Sequence, residues 1–235
     1  RRVDAMQVLV TGAAGFLGGH VVDALLDAGH AVRALVRRDR DRAALERRGA
    51  EVVVADLVEG DLDGAVRGVD AVVHLAARSR GTRRALWQAN VWGTERLLSA
   101  CRRAGAPGLR FVFASTQAVA GPSLDGRPRT PDEPPAPWHA YGESKSRAER
   151  LVRARDRTWT PVVLRLVAVY GPGDPDTLPL FRLAVRGWAV IPAAPGARFH
   201  VVYAGDAARA FVRAVERPEA AGACVFVGHP RAVRW

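Results

Sequence analysis

Residues 7–18 read Gln-Val-Leu-Val-Thr-Gly-Ala-Ala-Gly-Phe-Leu-Gly, and this stretch carries the strongest structural signal of the sequence. Its apolar beginning, Gln7 to Val10, predicts a short buried strand, and a helical pattern of apolar residues starts at Phe16. The glycines at positions 12, 15 and 18 allow a sharp turn and a close approach of the backbone to a ligand. The N-terminus of the following helix offers free N–H groups to a phosphate. A strand, this glycine spacing and a helix in succession therefore predict a nucleotide-binding loop.

The chain continues with alternating strand-like and helix-like segments. Strands are predicted at Gln7 to Val10, Ala31 to Val36, Glu51 to Ala55, Ala71 to Leu75, Arg110 to Ala114 and Pro161 to Leu166. Helices are predicted at Phe16 to Ala28, Arg40 to Arg48, Thr82 to Ala104 and His139 to Arg155. Repeated strand–helix–strand units favour a doubly wound, parallel α/β sheet of the Rossmann type, with helices on both faces.

Two segments interrupt this alternation. Gly121 to Pro137 contains six prolines, which predicts an irregular excursion over the surface. After Tyr170 the glycines and prolines become frequent, and only short elements are predicted up to Trp235. We therefore expect a Rossmann domain over residues 1–170 and a small, partial substrate-binding region over residues 171–235.

The composition is that of a globular protein. Hydrophobic residues make up 49% and charged residues 25% of the 235 positions, which excludes a disordered chain, a collagen and a fibre. No apolar run reaches the roughly 18 to 20 residues that a membrane-spanning helix needs, and the first residues lack a signal-type stretch. Cys101 and Cys224 stand far apart without other ligands nearby, so neither a disulfide scaffold nor a metal site is expected. We expect a cytoplasmic protein with no membrane partner.

The formal net charge of +11 resembles that of a nucleic-acid-binding protein, but its distribution does not. The positive residues are spread along the chain, whereas nucleic-acid binders cluster charge on one face and interleave aromatic residues. The cluster between Arg33 and Arg48 is interpreted as a solvated helix flank in which a few members bind a local anion. We expect a small-molecule substrate and no nucleic acid.

Tyr141 and Lys145 are spaced for proton transfer. Four residues apart on a predicted helix, they share one face. Hydride transfer to or from a carbon that bears oxygen requires a group that exchanges a proton with that oxygen. A tyrosine with a pKa of about 10 is a poor base at neutral pH, and a nearby ammonium group lowers that pKa. Lys145 is the only lysine of the chain, which favours a function over chance. Thr116 follows the fifth predicted strand, where ligands bind in open α/β sheets.

The glycine loop and six further motifs resemble the extended short-chain dehydrogenase/reductases, the NAD-dependent epimerase/dehydratase family. The further motifs are Asp56-Leu57, His74-Leu75-Ala76-Ala77, Asn90-Val91-Trp92-Gly93-Thr94, Ser115-Thr116, Tyr141-Gly142-Glu143-Ser144-Lys145 and Val169-Tyr170-Gly171-Pro172-Gly173. They occur in the order typical of the family and extend from Gln7 to about Val227.

The resemblance implies a role for each matched residue. The cofactor pyrophosphate would be held by the loop residues Gly12, Ala14, Gly15, Phe16, Leu17 and Gly18. Asp56 and Leu57 would lie near the adenine, and Ala76 and Ala77 would line the cofactor. Tyr141 would be the acid/base and Lys145 its tuner and a ribose ligand, with Thr116 binding the substrate oxygen. Three alternatives stay open: Asp56 as a turn residue, His74 as a satisfied core residue, which we favour, and Asn90 either as an organiser of the site or as polar helix packing.

Departures from the family pattern narrow the function. Gln117-Ala118 replaces the Asp-Glu pair of the sugar dehydratases, which disfavours that reaction. Val36-Arg37 replaces the usual acidic residue, which favours NADP over the alternative, NAD. Val169 to Leu183 resembles the sterol-dehydrogenase-like and aldehyde-reductase-like branches. We expect an oxidoreductase that moves a hydride between NAD(P) and a secondary alcohol or ketone. The alternatives are a nucleotide-sugar epimerase with retained NAD and a non-catalytic nucleotide-binding sensor.

The same resemblance implies an assembly and an incomplete substrate region. Helices Thr82 to Ala104 and His139 to Arg155 resemble those that pair family dimers, so a homodimer is expected. Relatives continue beyond residue 235, which implies a truncated or short natural substrate region. Exposed apolar surface is therefore expected around Phe211, Val215 and Val225 to Val227.

Overall fold

The computed structural model describes residues 4–105, 108–123, 125–154, 157–188 and 198–234. Its strands are β1 (Gln7–Thr11), β2 (Ala31–Val36), β3 (Glu51–Val54), β4 (Ala71–His74), β5 (Leu109–Thr116), β6 (Trp159–Leu166), β7 (Ala168–Tyr170), β8 (Arg198–Phe199), β9 (Val201–Tyr203), β10 (Cys224–Val227) and β11 (Val233–Arg234). Its α-helices are α1 (Phe16–Asp27), α2 (Arg42–Glu46), α3 (Asp63–Val66), α4 (Arg83–Trp87), α5 (Gly93–Ala104), α6 (Ala140–Arg153), α7 (Leu178–Val185) and α8 (Ala204–Glu216). The predicted domains also include residues 1–3, 106–107, 124, 155–156, 189–197 and 235, which lie outside the described residues.

A parallel sheet carries the fold. Within the described residues it has seven strands in the order β10-β6-β5-β4-β1-β2-β3. The chain runs from β1 to β2 and β3 on one side and then crosses to β4, β5 and β6 on the other. The strand order therefore reverses between β1 and β4, where an open α/β sheet forms its ligand crevice at the carboxyl ends of the strands. The prediction of a doubly wound Rossmann fold is confirmed.

Two apolar layers enclose the sheet. Successive residues of β1 point to opposite faces. Val10 packs with Val21 of α1 and Phe211 of α8 in one layer, while Leu9 packs with Leu97 of α5 in the other. All five side chains are fully buried, and burial of a side chain of this size stabilises the fold by about 1.5–3 kcal/mol. The central strand is thus held rigidly, and with it the loop that follows.

The tail of the chain differs from its prediction. The expectation of only short elements beyond Tyr170 is wrong, because α8 has 13 residues and β10 pairs in parallel with β6. The main sheet therefore takes its last strand from beyond the predicted boundary at residue 170. Phe211 and Val215 are buried because α8 packs against α1, so the exposure expected there is also wrong. Val225, on the outer strand β10, is 40% exposed.

The predicted helix Thr82 to Ala104 has the right extent, but it is not a continuous α-helix. Residues Gln88–Trp92 form a π-helical turn between α4 and α5, inside the predicted helix Thr82 to Ala104. The short helix α3 was not predicted from the sequence. In the part of the chain that the structure describes, no helix is both long and apolar enough to cross a membrane.

Candidate active site

The loop between β1 and α1 is shaped by two glycines that no other residue could replace without movement. Gly12 has a φ of 71°, and a Cβ there would lie 2.8 Å from the backbone nitrogen of Ala76. A Cβ on Gly18 would collide with the carbonyl oxygen of Gly12. The Gly15 N–H donates to the Gly12 carbonyl over 2.9 Å, which closes the turn. The glycine spacing thus brings the start of α1 against both the turn and the end of β4.

The N-terminus of α1 fits an anionic group. Its N-cap residue is Gly15, so no side chain caps the helix, and its first turn holds no acidic residue. The first N–H groups of a helix have no partners within it, and they carry a partial positive charge. Together with the glycine cradle, this arrangement suits the pyrophosphate of a dinucleotide.

A cleft of about 580 Å³ opens at this loop. Eight residues of the predicted cofactor site line it: Gly12, Ala14, Gly15, Arg37, Asp56, Leu57, Ala76 and Ala77. Phe16 lines an adjoining cavity on the other side of the loop, and Leu17 and Gly18 line neither space. Gly18 instead packs against the backbone of the turn at Gly12, where a side chain would not fit.

Asp56 is both a turn residue and a residue of the cleft, the two alternatives left open by the sequence. Its Oδ1 accepts a hydrogen bond of 2.7 Å from the Val58 N–H, as a turn residue does, and the same residue lines the cleft. Arg37 and Arg38 also line the cleft, are exposed, and form no ion pair with any described residue. Asp41 lies at the same end, 3.9 Å from the Arg40 guanidinium, and was missed by the sequence reasoning.

The segment after β4 adds cleft residues that the sequence reasoning also missed, namely Arg78, Ser79 and Arg80. Asn90 in the π turn holds this segment: its Oδ1 accepts from the Arg78 N–H over 2.7 Å and its Nδ2 donates to the Arg78 carbonyl over 2.9 Å. The same amide donates to the Ser144 hydroxyl of α6. Asn90 therefore ties the cleft to α6. These residues could have been found from their position in the sequence, because they follow the carboxyl end of a predicted strand, where ligands bind in open α/β sheets.

His74 is a satisfied core residue, as favoured from the sequence. Its Nδ1 lies 2.7 Å from the Thr11 hydroxyl and its Nε2 lies 2.9 Å from the Thr94 hydroxyl. Burial, aided by the positive charge of Lys145, lowers the pKa of His74 to about 3. The imidazole is therefore neutral at physiological pH.

Thr116 and Tyr141 meet beside the sheet. Thr116 ends β5, and its side chain interacts with the Tyr141 phenol in the first turn of α6. The Tyr141 ring stacks on His139, with centroids 6.1 Å apart and planes 14° apart. His139 is the N-cap of α6, and its Nδ1 accepts from the Gly142 N–H over 3.0 Å. The strand end and the capped helix thus fix the phenol from two sides.

Lys145 lies one turn further along α6 and is only 2% exposed. Its Nζ is 4.0 Å from the centroid of the Phe113 ring. Burial lowers the pKa of Lys145 to about 7, against an opposing effect of the Glu149 carboxylate. Burial also raises the pKa of Tyr141, and the neighbouring Thr116 side chain opposes this effect. The lowering of the Tyr141 pKa expected from Lys145 is not seen, because burial of the phenol dominates.

Outside this region the described residues offer no competing metal chemistry. Among them, no group of three or more His, Cys, Asp or Glu residues could hold a metal ion. Cys101 and Cys224 are free, and burial raises the pKa of the Cys101 thiol to about 12. The glycine-loop cleft and the Thr116–Tyr141–Lys145 group are therefore kept as the candidate active site.

A Rossmann sheet with this phosphate loop and a Tyr-x-x-x-Lys pair beside a strand-end hydroxyl defines a protein of the short-chain dehydrogenase/reductase class. Residues 8–228 match the model of the NAD dependent epimerase/dehydratase family, and the chain belongs to that family.

Similar proteins with described activities are reductases and epimerases. Ceramide reductase of Caulobacter vibrioides is 34% identical over 213 residues, which cover 90% of this chain and 61% of the relative. 2-Alkyl-3-oxoalkanoate reductase of Stenotrophomonas maltophilia is 36% identical over 197 residues, which cover 77% of this chain and 56% of the relative. The chain thus spans between about half and two thirds of the length of these two relatives.

Solved structures show the same fold with bound cofactor or nucleotide sugar. MoeE5 in complex with UDP-glucose and NAD superposes with a TM-score of 0.83 at 33% identity, covering 97% of this chain and 78% of that one. UDP-glucose 4-epimerase of Thermotoga maritima, solved with UDP-glucose, gives a TM-score of 0.83 at 26% identity, covering 97% and 79% of the two chains.

Proposed function

We propose that the protein is an NADP-dependent reductase that interconverts a ketone and a secondary alcohol. The observation that carries the proposal is that the side chains of Thr116 and Tyr141 interact at the end of β5, with the buried Lys145 one helical turn away. The names of the relatives support it, since ceramide reductase and 2-alkyl-3-oxoalkanoate reductase are both named as reductases.

The residues of the chain divide the work between binding and proton transfer. Gly12, Ala14 and Gly15, with the start of α1, would hold the pyrophosphate of the cofactor, which supplies or accepts the hydride when bound. The Thr116 hydroxyl would orient the substrate oxygen. Tyr141 would donate its proton to that oxygen during reduction and take it back during oxidation. A raised pKa suits this donor, because the phenol stays protonated at neutral pH.

Lys145 would act as a compact cation beside this proton donor. Its ammonium group, when charged, stabilises the phenolate that proton donation leaves behind. The same group would bind the cofactor ribose. Asp56 and Leu57 would lie against the adenine, and Ala76 and Ala77 would line the cofactor beyond the loop.

The choice of NADP over NAD rests on the arginines at the end of β2. Arg37 and Arg38 line the cleft without carboxylate partners among the described residues, while the neighbouring Asp41 lies near Arg40. Arginine binds a phosphate through two parallel charge-assisted hydrogen bonds, which suits the extra phosphate of NADP. NAD, the cofactor bound in MoeE5, is the alternative.

The test is a screen of ketones with NADPH and NADH, followed by absorbance at the reduced nicotinamide band. Tyr141→Phe should keep cofactor affinity and lose turnover by about 100- to 10,000-fold, the usual contribution of a general acid. Glu143→Gln is the matched control and should retain activity, because the Glu143 carboxylate is 33% exposed and pairs with Arg83 of α4. A Tyr141→Phe enzyme with most of its wild-type rate would remove the proposed proton donor.

A nucleotide-sugar epimerase with retained NAD is the second candidate. The solved neighbours that hold UDP-glucose favour it. Such an enzyme oxidises and re-reduces one sugar carbon, so NAD should co-purify with the protein in stoichiometric amount. Cofactor binding without turnover of either substrate class would instead indicate a nucleotide sensor.

The region after β7 is proposed to contribute the substrate side of the site. Helix α7 has no buried residue, and Phe181, Val185 and Trp188 in and after it are 55%, 90% and 70% exposed. Apolar side chains in this number suit a ketone with a large apolar substituent. The relatives named for ceramide and for 2-alkyl-3-oxoalkanoate as substrates support that class.

A homodimer and a cytoplasmic location belong to the same proposal. The helices α4, α5 and α6 would pair. A groove on α4 and the adjoining π-helical turn is lined by Arg83, Arg84, Trp87 and Trp92, and Trp92 is 45% exposed. The two free cysteines are compatible with a reducing compartment. Sedimentation equilibrium of wild type and Trp92→Glu tests the assembly: a dimer should become a monomer, and a wild-type monomer at all concentrations would contradict it.

A further inference from the structure

Glu149 of α6 and Arg165 of β6 form a buried ion pair next to the proposed catalytic residues. Glu149 is 2% exposed and Arg165 is fully buried. The Arg165 Nη2 donates to Glu149 Oε1 over 2.7 Å, and its Nε donates to Oε2 over 3.2 Å. The remaining Nη1 donates to the Pro131 carbonyl over 3.1 Å. Two charges are rarely placed so deep, because removing them from water costs several kcal/mol each.

The pair connects α6 and β5, which carry the proposed catalytic residues, with the neighbouring strand β6. Glu149 lies one turn beyond Lys145 and two turns beyond Tyr141 on α6, so the three share one face of the helix. The Ser115 hydroxyl, next to Thr116 on β5, donates to Glu149 Oε2 over 2.8 Å. Ser115 is also the register partner of Arg165 on β6.

We propose that Glu149, held by Arg165, is a positioning residue that keeps Lys145 charged and fixes α6 against the ends of β5 and β6; this inference rests on the proposed reductase function. A buried lysine without a nearby negative charge would lose its proton readily. Arg165 stays charged at any physiological pH, and its two hydrogen bonds hold the Glu149 side chain in place.

The charges around Lys145 support this role for Glu149. On its own helix it is accompanied by Tyr141, which is neutral, and by Glu149. From β4 it is faced by His74, which burial keeps neutral, and from β5 by the uncharged ring of Phe113. Glu149 is therefore the carboxylate that opposes the effect of burial on the Lys145 pKa.

The surroundings of Glu149 itself are mainly cationic. Arg165 faces it from β6, and Arg153 Nη1 lies 3.6 Å away on its own helix. Cys224 of β10 lies 4.0 Å away, and burial together with the Glu149 charge raises the pKa of that thiol. Asp132 adds a more distant negative charge near Arg165. Loss of the Glu149 carboxylate would therefore leave Lys145 beside uncompensated positive charge.

The single lysine of the chain makes this inference directly measurable. Protein labelled with ¹³C at the lysine side chain gives one side-chain spin system, whose shift reports the protonation of Lys145 without any substrate. In Glu149→Gln the midpoint should move to lower pH by on the order of one pH unit. Glu143→Gln removes a carboxylate of the same helix whose charge is paired with Arg83 of α4, and it should leave the midpoint unchanged.

A second variant removes the risk that Glu149→Gln fails to fold with Arg165 left unpaired. Glu149→Leu with Arg165→Met replaces both charges by apolar groups of similar volume, a change that buried ion pairs often tolerate. Its lysine midpoint should lie below that of wild type and above that of Glu149→Gln, because the competing positive charge is also gone. A wild-type midpoint in both variants would overturn the inference.

Measurement of kcat is an independent test, and it separates this inference from the proposed function. A fall of one pH unit from about 7 reduces charged Lys145 at pH 7 from about half to a tenth, so kcat should fall about fivefold in Glu149→Gln. The alkaline limb of its pH profile should move to lower pH. If wild type reduces no ketone, the proposed function fails while the lysine titration still decides the inference. Ketone reduction with unmoved midpoints refutes the inference alone.

Discussion

Substitution of Gly18 by alanine should weaken cofactor binding at least about tenfold, whereas the same change one residue later should not. A Cβ at position 18 would collide with the Gly12 carbonyl oxygen and lie 2.9 Å from the Ala13 Cα. Both contacts are with backbone, so either α1 or the Gly12 turn must shift. At Gly19 the nearest atom to a new Cβ is Nη1 of Arg48, at 3.0 Å. That group is the end of a flexible side chain on an exposed residue, and it can move aside.

The expected magnitude follows from the bonds that the shift would break. The pyrophosphate would be bound by N–H groups of the loop and of the first turn of α1, and a hydrogen bond to a charged group contributes about 1.5–3 kcal/mol. Loss of one or two of them weakens affinity by about tenfold to more than about ten-thousandfold. Gly19→Ala should instead leave affinity unchanged and stabilise the helix by up to about 1 kcal/mol.

Titration of intrinsic fluorescence with NADP and with NAD measures both variants, and thermal unfolding confirms that each is folded. The pair is matched in residue type, helix and chemical change. A folded Gly18→Ala protein with wild-type affinity would refute the inference that the loop and the helix start bind the cofactor.

Three further predictions concern cofactor choice, the core and the buried lysine. Arg37→Ala should weaken NADP binding about ten- to a hundredfold and leave NAD binding unchanged, whereas the exposed Arg47→Ala, of equal charge but outside the cleft, should change neither; equal losses for both cofactors would contradict this. Phe211→Ala should lower the free energy of unfolding in urea by about 3–5 kcal/mol, because α8 fills the layer against α1, and a loss under 1 kcal/mol would mean that this layer is not formed. Because burial lowers the pKa of Lys145 to about 7, the unfolded chain binds the extra proton between about pH 7 and 10, and stability contributed by this group rises with pH. Between pH 7 and 9.5, the free energy of unfolding of wild type should therefore rise by about 3 kcal/mol more than that of Lys145→Met. The same pH dependence in both proteins would contradict the lowering of the Lys145 pKa by burial.

The sequence was sufficient for the fold where local signals and tertiary structure agree. Each of the six predicted strands lies within two residues of an observed one, because apolar runs between glycine turns have few alternatives in a parallel sheet. The glycine loop was also predictable, since its spacing reflects backbone contacts that exclude any Cβ. By contrast, α8 was missed although its apolar residues recur at helical spacing. Its alanines carry a weak signal, and its burial against α1 is a contact between residues far apart in sequence.

The site was predictable in its members but only partly in its contacts. Tyr141, Lys145 and Thr116 each belong to a motif, and so could be found one at a time. Arg165 and Glu149 lie 16 residues apart and meet only because β6 packs beside α6, so no local pattern indicates their ion pair. Asn90 likewise reaches Arg78 and Ser144 only through the π turn.

The proton chemistry shows why geometry had to be added to the motif. From spacing alone, a lysine one turn from a tyrosine should lower the tyrosine pKa. In the structure both groups are buried, and burial favours the neutral form of each, which raises the pKa of Tyr141 and lowers that of Lys145. The charged state of Lys145 then depends on what else faces it, and here Glu149 supplies the negative charge. A protonated phenol beside a conditionally charged lysine suits a proton donor, which is the direction that ketone reduction requires.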